Sequence, residues 1–182
     1  MEKILISACL LGDKVRYDGK GKLLNHPLLQ KWQEEGRLVP VCPEVCGGLS
    51  VPRPAAEIVC SDGSGGGEAV LSGEAKVITR SGQDVTAHFL SGAQHALELC
   101  KTHDIKVAIL TDRSPSCASF AIHDGSFSSA MVKGVGVTTA LLRAHKIKVF
   151  GPNRLDIVDD YLFFIGNSVC TGLDSPEGTL TW

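Results

Sequence analysis

Short apolar runs separated by polar, glycine-containing stretches recur along the chain, and four of them read as strands. These are Lys3–Ala8 with its Ile4-Leu5-Ile6 centre, Leu38–Val41, Lys106–Leu110 and Ile147–Phe150. Helical spacing takes over between them. Leu28, Leu29 and Trp32 form an i, i+3/i+4 face on a helix predicted from Pro27, with Asn25 as its cap. Val85, Phe89, Ala93, Ala96 and Cys100 make the clearest helical face, over Asp84–His103, and Val137–His145 predicts another helix. A strand–loop–helix–strand order favours a right-handed parallel crossover. Glu57–Cys60 and Lys76–Arg80 are expected to pair as a β-excursion around Ser61–Gly67, whose glycines give a flexible tip. Ile157–Ile165 is apolar but interrupted by Asp159-Asp160, so helix, edge strand and contact with another subunit all remain open. The expectation is an α/β protein, a single Rossmann-like domain with a mostly parallel sheet flanked by helices and a small β-excursion. It spans residues 1–151, and residues 152–182 form an extension packed on the domain or on a partner subunit.

Composition narrows the class. A chain of 182 residues is long enough for one substantial core and short for two. Its net charge of −2 indicates no dominant phosphate-binding surface, which argues against nucleic acid as the main partner. The 7 cysteines are an odd number at irregular spacing, which suits a reducing compartment better than a disulfide framework. Ile6-Ser7-Ala8-Cys9 has the look of a lipoprotein cleavage site, but too few residues precede it for a signal peptide. No apolar run approaches the roughly 20 residues that span a bilayer. A cytoplasmic protein without a membrane partner is expected.

The candidate chemistry lies at the strand ends. Cys9, Cys42 and Cys117 each sit just past one of the first three strands, so a parallel sheet would gather them at its carboxyl edge, where such sheets bind ligands. Three soft thiolates there fit a metal or an iron–sulfur cluster with one site left open, and also fit coincidence. In Cys42-Pro43-Glu44 the proline turns the chain out of the sheet, which lets Glu44 reach the rim as a general base; an ordinary turn is the plainer reading. Ser114-Pro115-Ser116-Cys117 repeats that grammar with two hydroxyls, either donors to a substrate or caps of nearby backbone. Arg16 and Asp18 in the first loop can clamp a substrate or simply pair with each other. Cys46 competes with Cys42 as a ligand, whereas Cys60, Cys100 and Cys170 read as structural. His88 and His95 read as packing or solvent-facing, and His123 as part of a turn. Gly63–Gly67 lacks the Lys-Ser or Lys-Thr of a P-loop. Gly134-x-Gly136 opens a helix that either receives an anion or needs tight packing.

Taken in order, Ile6-Ser7-Ala8-Cys9-Leu10-Leu11-Gly12, Val15-Arg16-Tyr17-Asp18-Gly19, Val39-Pro40-Val41-Cys42-Pro43-Glu44 and Ser114-Pro115-Ser116-Cys117 resemble the TudS-like thiouracil desulfidases. Asp84-Val85-Thr86, Asp124-Gly125 and Gly134-Val135-Gly136-Val137-Thr138 extend the resemblance over about residues 3–151. It implies a [4Fe-4S] cluster on Cys9, Cys42 and Cys117, with the fourth iron open to the sulfur of a thiolated pyrimidine. It also implies hydrolytic desulfuration, C=S to C=O, with Glu44 as acid/base and Ser114 assisting at the substrate. Arg16, Asp18 and Ser116 are the further candidates for substrate contact. The chain departs from many relatives at Thr111-Asp112, where they carry lysine, and at Ala118, where they carry glycine. The competing readings are a non-catalytic metal- or cluster-binding structural or sensor protein, and a metal-free cysteine hydrolase or transferase.

Overall fold

The computed structural model describes residues 1–60 and 65–168. In chain order the elements are β1 (Ile4–Ser7), α1 (Pro27–Glu34), β2 (Leu38–Val41), α2 (Pro43–Cys46), β3 (Ala56–Cys60), α3 (Gly67–Ser72) and β4 (Ala75–Thr79). They continue with α4 (Thr86–Thr102), β5 (Val107–Ile109), β6 (Ala121–His123), β7 (Met131–Lys133), α5 (Val137–Ala144), β8 (Lys148–Phe150) and α6 (Leu155–Ser168). A 3-10 turn, Ala8–Leu11, follows β1 directly.

Four strands form one parallel sheet in the order β2-β1-β5-β8. The central strands are apolar apart from Ser7 at the end of β1, because both their faces are covered. On one face Leu5, Ala108 and Val149 pack with Ala96, Leu97 and Cys100 of α4 and Leu142 of α5. On the other, Ile4, Ile6, Val107 and Ile109 meet Leu29 and Trp32 of α1 and Leu155, Val158 and Leu162 of α6. The run containing Ile157–Ile165 is thus a helix, and its buried face completes a layer of the sandwich. The rest of the expected extension, Cys170 included, lies outside the described residues.

The excursion forms as expected, β3 pairing antiparallel with β4 from Ala56↔Thr79 to Cys60↔Ala75. It has its own apolar cluster, in which Ile58, Val70 and Val77 meet Phe89 and Ile122. Three details differ from the sequence reading. The cap of α1 is His26, not Asn25: the residue before Pro27 is held extended, and His26 Nδ1 accepts from the Leu28 N–H at 3.2 Å. The supposed flexible tip ends in order at Gly65–Gly67, where α3 begins (residues 61–64 lie outside the described residues). A second antiparallel pair, β6–β7, flanks the Asp124-Gly125 turn signal, where no strand was expected.

Two bare-backbone contacts position the cysteine loops. Gly47, at the end of α2, and Gly92, inside α4, lie where a Cβ would collide with the His88 and Pro43 carbonyls respectively. The short helix after Cys42 therefore docks backbone-to-backbone on α4, and His88 Nδ1–H donates to Gly47 O at 2.8 Å. Gly92→Ala is expected to cost about 1–3 kcal/mol, the usual range for overpacking a close contact, as measured by denaturant unfolding. The second contact is at Gly136, whose Cβ would strike the Ser116 carbonyl. There the Val137 and Thr138 N–H groups donate to Pro115 O and Ser116 O, each at 2.9 Å. The opening of α5 is thus committed to the Cys117 loop rather than to an anion, which settles the two readings of Gly134-x-Gly136 in favour of packing.

Candidate active site

A cavity of about 580 Å³ opens at the carboxyl edge of the sheet, and Cys9, Cys42 and Cys117 all line it. Cys9 is carried by the 3-10 turn after β1, Cys42 ends β2 as the N-cap of α2, and Cys117 follows β5. Cys9 and Cys117 are 5% and 4% exposed, so their thiols belong to the cavity wall and not to the surface. Cys42 is half-buried, and its thiol faces Val15 O at 3.8 Å. Cys46 is exposed and lies off the lining, one turn along α2.

The three thiols share an electrostatic environment. Burial pushes each of them above the ordinary cysteine range. For Cys9 this is opposed by a hydrogen bond from the Thr111 side chain and then by the charges of Arg16 and Lys22. For Cys117 the negative charge of Glu44 adds to burial, while a hydrogen bond with Ser7 opposes it. Charge on Cys9 or Cys42 raises Cys117 further. Three thiolates facing one buried space repel one another, so a cation between them is what would favour their ionisation. Among the described residues, no three His, Cys, Asp or Glu side chains converge as a ligand set for a single ion.

Beside the thiols runs a short polar chain. Ser114 Oγ–H donates to Glu44 Oε1 at 3.0 Å, and Ser114 Oγ itself accepts from the N–H groups of Ser116 at 3.1 Å and Cys117 at 3.2 Å. Arg53 holds the other side of the carboxylate, donating from Nε to Glu44 Oε2 at 2.8 Å, with Nη2 also 2.8 Å from that oxygen. Its Nη2 reaches Val15 O at 3.0 Å and its Nη1 reaches Ser50 O at 3.1 Å. The Arg53 side chain is only 6% exposed. One guanidinium thus ties the Cys9 loop, the Cys42 loop and the carboxylate together, in the fixed fork geometry that suits arginine.

The profile of the 2-thiouracil desulfurase family matches residues 4–153. The chain belongs to that family. It is 40% identical over 153 residues, 84% of this chain and 97% of the relative, to the uncharacterized protein YbbK of Bacillus subtilis (strain 168). Among solved structures it resembles a [4Fe-4S]-dependent thiouracil desulfidase, TudS (DUF523Vcz), with a TM-score of 0.80 and 44% identity. That superposition covers 90% of this chain and 99% of the other, and it agrees with the Rossmann-like α/β domain described above.

Not every sequence candidate reaches the cavity. Arg16 lines it, together with Glu44 and Ser114. Asp18 does not: its Oδ1 accepts from Lys20 N at 3.1 Å and its Oδ2 lies 3.8 Å from Arg16 Nη1, the structural pairing that was the alternative reading. Ser116 is fully buried behind the loop, with its hydroxyl 2.8 Å from that of Thr138. It supports the Cys117 loop from below instead of facing a ligand.

Lining residues that were not among the sequence candidates include Arg53, Glu57, Arg80 and His123. The signal for Arg53 was present, because an arginine between Pro52 and Pro54 sits on a backbone with little freedom to move it elsewhere. Thr111 also lines the cavity, and its N–H donates to Ser7 Oγ at 3.0 Å.

Proposed function

We propose that this family member is a [4Fe-4S]-dependent desulfidase that converts C=S to C=O in thiouracil or a related small thio-heterocycle and releases sulfide. One water supplies the oxygen, the sulfur leaves as hydrosulfide, and no net electron transfer occurs. The observation that carries this reading is that three thiols, two buried and one half-buried, share one cavity with the Ser114–Glu44 hydrogen bond. Cys9, Cys42 and Cys117 would hold the cluster. Thiols carried by three separate loops on one cavity suit an iron–sulfur cluster, in which three irons would each take one cysteine. When bound, such a cluster would supply an iron without a protein ligand, a soft Lewis acid that prefers sulfur to oxygen.

The chain's own groups divide the remaining work. Glu44 accepts the proton of the water that attacks the ring carbon. Ser114 lines the cavity beside that carboxylate and is hydrogen-bonded to it, so it can pass a proton or donate to the heterocycle. Arg53 fixes Glu44 through Oε2 and leaves Oε1 directed at Ser114. Arg16 offers a donor on the cavity wall. The substrate is a free thiolated pyrimidine and not an RNA base, in keeping with the net charge of −2. A cytoplasmic setting belongs to the same reading, supported by the odd number and irregular spacing of the 7 cysteines.

Anaerobic reconstitution tests the reading. The protein is expected to take up about four irons per chain and to release sulfide from 2-thiouracil in proportion to uracil formed. A metal-loaded protein without sulfide release would instead support a structural or sensor role, and a metal-free protein with activity would support a cysteine hydrolase.

A further inference from the structure

Two hydroxyls lie against the two most buried cysteines, and neither has a part in the chemistry above. The Cys117 thiol is hydrogen-bonded to the Ser7 side chain, and the Cys9 thiol to the Thr111 side chain. Ser7 closes β1, and Thr111 follows β5 by two residues. Those strands are parallel neighbours in the middle of the sheet, with Ile6 opposite Ile109, so the two chain ends leave the sheet side by side.

The bond between the two residues decides how the Ser7 hydroxyl is used. The Thr111 N–H donates to Ser7 Oγ at 3.0 Å, which occupies that oxygen as an acceptor and leaves its one proton to be donated. Ser7 is only 2% exposed, and a buried hydroxyl proton is paired as a rule. The sulfur of Cys117 is the acceptor beside it. The resulting pattern is crossed. Ser7 on β1 serves the cysteine that follows β5, while Thr111 after β5 serves the cysteine that follows β1. One hydrogen bond between neighbouring strand ends therefore sets two donors against two sulfurs.

We propose that Ser7 and Thr111 are positioning residues for the cluster, donating to the sulfurs of Cys117 and Cys9 so as to orient these ligands and draw charge from the iron; this rests on the cluster reading for the identity of the bound group. Partners in the layer behind metal ligands commonly act in this way. A hydrogen bond to a ligating sulfur also favours the reduced cluster, which carries one more negative charge, and so raises the reduction potential. The same withdrawal of charge makes an open iron a stronger Lewis acid.

The test uses the anaerobically reconstituted holoenzyme with Thr111→Val, Thr111→Ser and Ser7→Ala. Thr111→Val removes the hydroxyl at nearly constant shape and keeps the N–H that bonds to Ser7 Oγ, so the contact between the strand ends survives. Thr111→Ser keeps the donor. Two readouts are taken: the midpoint potential of the cluster from a redox titration followed by electron paramagnetic resonance, and kcat and KM for sulfide release from 2-thiouracil. Thr111→Val and Ser7→Ala are each expected to move the potential to more negative values and to lower kcat by roughly 10–100-fold with KM little changed. Thr111→Ser is expected to return both readouts close to wild type. A wild-type potential in both Thr111→Val and Ser7→Ala would overturn the assignment, as would a serine variant no different from valine. A potential that shifts as expected in a protein that releases no sulfide would sustain the hydrogen bonds and reject the desulfidase reading. An unmoved potential in an active protein would do the reverse, so the two can fail separately.

Discussion

Cys117→Ser is expected to abolish cluster assembly and activity together, leaving sulfide release at the level of the protein-free reaction. The substitution is nearly isosteric, and the loop that carries residue 117 is held mainly by backbone. Its N–H bonds to Ser114 Oγ, its carbonyl accepts from Thr139 Oγ1 at 2.8 Å, and Gly136 closes on it from behind. The fold should therefore survive while the soft donor is lost, and a hydroxyl is a poor replacement for a thiolate on iron. Cys9→Ser and Cys42→Ser should behave alike, because each thiol lines the same cavity. The informative control is Cys46→Ser. Its side chain is exposed at the end of α2, so the variant should keep about four irons per chain and wild-type turnover. Iron and acid-labile sulfide analysis after anaerobic reconstitution checks all four. A Cys46→Ser protein without iron, or a Cys42→Ser protein with a full complement, would reverse the choice between the two.

That choice shows what the sequence alone can and cannot resolve. The sheet was legible because its strands are apolar on both faces, and their parallel order predicted thiols at one edge. Cys42 and Cys46 were inseparable in sequence because the distinction depends on where α2 points. Its direction is set by Gly47 and Gly92 meeting across some 45 intervening residues, a contact with no local signature. The same limit hid Ser116. Ser114 and Ser116 flank the same proline, and only the docking of the loop on the start of α5 turns one toward Glu44 and the other toward Thr138. Arg53 was missed for a related reason. A surface-type residue in a proline-rich loop became nearly buried because Val15 O, Ser50 O and Glu44 all present acceptors to it. The β6–β7 pair escaped because its strands are three residues long and β7 is solvent-exposed, leaving almost no apolar pattern to read.

Glu44→Gln should separate chemistry from assembly. Cluster content is expected to match the wild type, because residue 44 leaves the thiols where α2 and the sheet hold them. Turnover is expected to fall by about 10²–10⁴, the usual contribution of a positioned acid/base group. The loss should appear in kcat more than in KM, since the proton is taken only as water attacks. Glutamine is the right replacement because the carboxylate has two neighbours. Its amide oxygen can still accept from either Ser114 or Arg53, whereas alanine would strand a nearly buried guanidinium at a cost of about 3–5 kcal/mol and confuse lost chemistry with lost fold. Ser114→Ala serves less well alone, because the hydroxyl also accepts from Ser116 N and Cys117 N, and removing it unfastens the loop that carries a ligand. The expected order of damage to turnover, with iron content held equal, is therefore Glu44→Gln well beyond Arg53→Lys, which keeps the charge but loses the fork. A Glu44→Gln protein with full iron content and undiminished sulfide release would remove Glu44 from the reaction and leave the carboxylate only its structural bond to Arg53.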